Sequence, residues 1–105
     1  MNKIFEKAKD FWKQDQKICT DELIKWNFNG GMEVSLKPIG DDKVLFASLD
    51  YLTYTKSTII INNKEMLATL FLDRYLQSFG SHIDSKKFSK EHNKFEFEVI
   101  GFFSK

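Results

Sequence analysis

The chain has 105 residues, 42% of them hydrophobic and 15% aromatic, with 16 basic against 15 acidic side chains and a net charge of +1. That is ample apolar material for one folded domain and too little length for two, and it excludes a disordered chain of low hydropathy and high charge. The balanced charge, and a single arginine (Arg74) among many lysines, disfavour a strongly basic nucleic-acid face.

The lone Cys19 cannot close an intrachain disulfide, whereas small secreted domains usually carry paired cysteines. The first residues, "MNKIFEKAKDFWKQDQK", interleave charge with apolar side chains and do not read as a signal peptide. No run approaches the about 20 apolar residues of a membrane span. Together these make a cytoplasmic, non-membrane protein the expectation.

Asn2 is a good N-cap, and Ile4, Phe5, Ala8, Phe11 and Trp12 recur on one helical face. The spacing predicts a first helix over Lys3–Lys17. Interleaved Glu6, Asp10 and Asp15 favour a helix packed on its own domain over one lying on an anionic membrane. Thr20 is placed to cap a short helical turn. From Ile24 the period changes to two: Ile24, Trp26, Phe28, then Met32, Val34, Leu36.

The register of that hairpin follows from the pattern. A two-residue Asn29-Gly30 turn would set Trp26 opposite Glu33. A three-residue loop Asn29-Gly30-Gly31 sets Phe28 opposite Met32, Trp26 opposite Val34 and Ile24 opposite Leu36, so that one whole face is apolar. The glycines then serve the turn, with Gly31 expected in the left-handed region. A phosphate-binding loop would need Gly-Lys-Ser/Thr and a following helix, and here "GGMEVSL" follows.

Pro38 and Gly40 punctuate the next turn, where Asp41 and Asp42 are ordinary turn acids. "KVLFASLDYL" reads as a central strand covered on both sides, with Val44, Phe46 and Ser48 on one face and Leu45, Ala47 and Leu49 on the other. "TYTKSTIII", Thr53 to Ile61, is a β-branched strand. Asn62 or Asn63 caps a second helix, "KEMLATLFLDRYLQSF", ended by Gly80; its apolar residues cover more than one face, which suits a buried helix or a homodimer interface. Beyond it, a polar edge strand and a last strand "KFEFEVIGFF", with Phe95, Phe97 and Val99 inward and a bulge at Gly101, complete the pattern. The fold class is α+β: a mostly antiparallel sheet of four to six strands with two helices packed on it, in the order α–ββββ–α–ββ.

Candidate chemistry is sparse. His82 and Asp84 form His-x-Asp and suggest a small enzyme or a metal site, but a metal needs three or four ligands and none is placed by spacing; a polar loop is the plainer reading. Cys19 has no base at a legible spacing. No catalytic constellation, cofactor loop or metal-ligand set is legible, so a non-enzymatic protein is expected. Lys86, Lys87, Lys90 and Lys94, with Phe88 among them, are the residue types that track a single nucleic-acid strand, although Asp84, Glu91, Glu96 and Glu98 oppose them.

Two features favour a protein partner instead. "LDYLTYTKST" suits a strand at a sheet edge that receives another strand. Trp26, Tyr51, Tyr54, Phe102 and Phe103 are of the types that anchor interfaces. Between Met32 and Phe103, chiefly "MLATLFLDRYLQSF" followed by "KKFSKEHNKFEFEV", the chain loosely resembles the small dimeric chaperones of type III secretion, and that resemblance implies a dimeric binder of another protein. The leading expectation is a small protein that occludes a partner, as bacterial immunity proteins and phage-encoded inhibitors of host defence do.

Overall fold

The computed structural model describes residues 1–11, 17–28, 30–80 and 84–104; Trp12 of the first helical face, Asn29 of the hairpin loop and His82 lie outside the described residues. The elements are α1 (Lys3–Phe11), β1 (Lys17–Cys19), β2 (Ile24–Phe28), β3 (Met32–Ile39), β4 (Lys43–Asp50), β5 (Thr55–Ile61), α2 (Lys64–Phe79) and α3 (Ser85–Phe103). The strands form one antiparallel meander in the order β1-β2-β3-β4-β5. The architecture is the α+β sheet with helices that the pattern implied.

The β2–β3 register is the one argued from the buried face: Phe28 pairs with Met32, Trp26 with Val34 and Ile24 with Leu36. The left-handed residue of the loop, however, is Gly30 at φ 73° and not Gly31. Pro38 sits within β3 without breaking it. Its missing N–H falls on the β2 side, beyond the last pair at Ile24, where no donor is needed.

The apolar face carries Ile24, Trp26, Phe28, Met32, Val34, Leu36, Val44, Phe46 and Ile61, all buried. Asn2 starts α1 by accepting from the Phe5 N–H at 2.9 Å, while its amide donates to the carbonyls of Gly40 (3.2 Å) and Lys43 (2.5 Å). One buried side chain thus caps the helix and pins it to the β3–β4 turn. Asn63 caps α2, accepting from Glu65 and Met66, and Gly80 ends it at φ 70°. Phe71 of α2 is the hub of the core, with Trp26 edge-on at 4.6 Å, Phe46 at 5.7 Å and Phe103 stacked at 5.5 Å.

Three expectations are corrected. The first helix stops at Phe11 among the described residues, and Lys17 already belongs to β1; Thr20 closes the β1–β2 turn, accepting from the N–H groups of Glu22 and Leu23. Among the described residues the central strand β4 has helices over one face, and Leu45, Ala47 and Leu49 on the other are half-exposed. The largest change is at the end of the chain, where the two expected strands are the single helix α3. Asp84 caps it, accepting from Lys86 and Lys87, and Phe88, Phe95, Val99 and Phe103 face α2 and the core. The alternation of Phe95, Phe97 and Val99 is overridden: Phe95 and Val99 lie one turn apart and are buried, and Phe97 points away at 81% exposure. Gly101 is accordingly a helical residue and not a bulge.

Candidate protein-interaction site

Of the five aromatic residues expected to anchor a partner, the core takes two. Trp26 and Phe103 are buried against Phe71. Phe102 is half-buried on Phe11 at 5.0 Å, with the Lys7 ammonium 4.6 Å above its ring. Tyr51 and Tyr54 stay on the surface, together, in the turn that joins β4 to β5.

That turn has no glycine. Asp50 organises it by accepting from the N–H groups of Leu52 (2.9 Å) and Thr53 (3.3 Å), and the Thr53 hydroxyl donates to Thr55 at 2.8 Å. The Tyr51 N–H donates to the Gly31 carbonyl at 3.1 Å, which ties the tip to the neighbouring β2–β3 turn. The Tyr51 hydroxyl donates to the Glu33 carboxylate, and this hydrogen bond holds the phenol above its ordinary range. Glu33 also pairs with Lys25 at 3.4 Å.

Behind the tip, the inner face of the hairpin turns polar. The Ser48 and Ser57 hydroxyls lie 2.8 Å apart. Arg74 of α2 donates from Nε to Ser48 at 3.0 Å and from Nη2 to Ser57 at 3.3 Å, and its Nη1 meets Asp73 at 2.7 Å. The only arginine of the chain therefore clamps the hairpin to the helix.

What the tip presents is largely apolar and sits on a hydrogen-bonded turn. Leu52 and Tyr54 are each 81% exposed, and Tyr51 is 42% exposed. Tyr54 adopts φ 56°, the only positive φ at a non-glycine residue among those described. That conformation costs an L-residue about 1–2 kcal/mol. Burying such a side chain against a partner is worth about 1.5–3 kcal/mol. Leu52 was missed in the sequence because an apolar residue between two tyrosines reads as strand.

The lysine candidates fall on α3. Lys86, Lys90 and Lys94 recur every fourth residue and are exposed, as is Lys87. Phe88 meets Phe79 edge-to-face at 5.2 Å and stacks on His92 at 5.9 Å, so one of its faces is already taken. Asp84 is occupied as the cap of α3, and its expected partner His82 lies outside the described residues. Cys19 is exposed on β1. Among the described residues no His/Cys/Asp/Glu cluster fits a metal ion, and no helix is long and apolar enough to cross a membrane. Comparison with protein families, with curated proteins and with solved structures finds no match to this chain.

Proposed function

We propose that the protein is a non-enzymatic binding module that occludes a partner protein, as immunity proteins and phage-encoded inhibitors do, and that Tyr51, Leu52 and Tyr54 make the contact. The observation that carries this reading is Tyr54, held at φ 56° and 81% exposed at the tip of a braced hairpin. Tyrosine and leucine on a rigid turn offer a large apolar contact that loses little conformational entropy on binding. The Asp50 turn, the Gly31 bond and the Arg74 clamp supply the rigidity.

The test is affinity capture with tagged protein from the native host, read by mass spectrometry, with wild type and the double variant Leu52→Asp, Tyr54→Ala side by side. The expected result is one near-stoichiometric protein captured by wild type and lost by the variant at unchanged melting temperature. A partner retained by the folded variant refutes the assignment of the tip. Recovery of nucleic acid would shift the function to the lysine face of α3.

A further inference from the structure

The two edges of the sheet are not alike. Among the described residues β1 is three residues long, a short edge. β5 is seven residues of "TKSTIII", pairs with β4 in unbroken register from Thr55 to Ile61, and contains no proline and no bulge. Among the described residues no strand pairs with its outer side.

The backbone groups left open there can be named. The Tyr51 N–H points to β3, where Gly31 accepts it. Backbone groups alternate sides along a strand. Those of Ser48 and Phe46 therefore point to β5, and their partners Ser57 and Ile59 point back to β4. The N–H and C=O of Lys56, Thr58 and Ile60 face outward, and among the described residues none of them has a hydrogen-bond partner.

The same side of the molecule has an unfinished core. Ile59 on the inner face of β5 and Leu70 of α2 are only half-buried against the core, and Met66 is exposed. Met66, Leu70 and Arg74 follow one another by one helical turn, and Arg74 reaches Ser57, so this stripe of α2 lies on the β5 side.

We propose that this edge is a homodimer interface, in which β5 pairs antiparallel with β5 of a second copy about a two-fold axis perpendicular to the sheet. Such an axis keeps both helical layers on the same side, so only residues of the same face can stand opposite one another. One permitted register sets Ile60 opposite Lys56 and Ile59 opposite Ser57. The next sets Ile59 opposite Ile59, Ile60 opposite Thr58 and Lys56 opposite Asn62. The second pairs β-branched residues, brings no like charges together and places the Ile59, Leu70 and Met66 stripes of both copies around the axis. In it Thr58 and Ile60 exchange backbone hydrogen bonds across the axis, and the sheet and core continue from one copy to the other. This inference goes beyond the binding reading and stands independently of the tip residues.

The test is sedimentation equilibrium of the full chain over micromolar to millimolar concentration, with two variants. Thr58→Pro removes an outward N–H and no bond within the sheet. Ile59→Cys, in a Cys19→Ser background, places a thiol at a non-hydrogen-bonded pair with Cα atoms about 4.5 Å apart, within reach of a disulfide. Wild type is expected at twice the monomer mass, folded Thr58→Pro at the monomer mass, and Ile59→Cys as a covalent dimer on oxidation while Thr55→Cys in the same background stays monomeric under denaturing conditions. Wild type at the monomer mass throughout overturns the proposal. A folded Thr58→Pro protein that remains dimeric, or an Ile59→Cys protein that does not cross-link, does so equally.

Discussion

Replacing Tyr54 by glycine separates binding from stability. At φ 56° the tyrosine pays about 1–2 kcal/mol that glycine does not. Glycine returns about 0.5–1 kcal/mol of this through the greater freedom of its unfolded chain. The side chain is 81% exposed, so little burial is lost. The net expectation is a gain of about 0.5–1 kcal/mol. For a domain of this size that raises the melting temperature by about 2–5 °C. Urea denaturation and calorimetry measure the change, with Tyr54→Asn as a companion because asparagine tolerates the left-handed region without glycine's entropy. The same variant weakens the captured partner at least tenfold if the ring is an anchor of about 1.5–3 kcal/mol. A fall of several degrees in melting temperature would mean that Tyr54 supports the fold, and the argument from strain to function would fail.

Asn2→Ala removes the cap of α1 and two part-buried hydrogen bonds to Gly40 and Lys43. The expected loss is about 3 kcal/mol in urea midpoint analysis, about 1 for each interaction; a loss below about 1 kcal/mol would show that α1 is held by its apolar face alone. Phe97→Glu changes a residue in water and should move stability by less than about 0.5 kcal/mol, whereas Phe71→Ala should cost about 3–5 kcal/mol. Burial, helped by Glu91 and Glu98, raises the Tyr75 phenol from 10.0 to about 12. Folding thus favours the neutral phenol, so this contribution is complete below pH 10 and is lost as the pH rises through about 12. Stability measured across that interval should fall in the wild type and fall less in Tyr75→Phe; equal slopes would refute the assignment.

The β2–β3 register was legible because each residue there alternates between core and solvent, and only one pairing gives a continuous apolar face. The cap at Asn2, a cap at Asn62 or Asn63 and the stop at Gly80 were legible for a similar reason, and the structure selects Asn63: short polar side chains and glycine do locally what no other residue does as well. The last helix was not. "KFEFEV" alternates as a strand does, yet Phe95 and Val99 also lie one helical turn apart, and a short pattern satisfies both periods. The signals that favoured a helix were the cap at Asp84, four lysines and three glutamates, and few β-branched residues. Misreading that element also turned Phe97 inward, where the helix sends it to solvent.

The candidate site divides along the same line. Residue type alone marked Trp26, Tyr51, Tyr54, Phe102 and Phe103, since aromatic side chains serve cores and interfaces alike. Local pattern determined the β2–β3 register, the start of α1 and the end of α2, because those depend on neighbours in the chain. Which aromatics the core would consume depended on contacts between distant elements. Phe71 gathers Trp26 and Phe103 across the helix–sheet interface and leaves Tyr51 and Tyr54 at the tip. The positive φ of Tyr54 and the open edge of β5 likewise exist only once the sheet is assembled, because strain and unpaired backbone are properties of a packed chain.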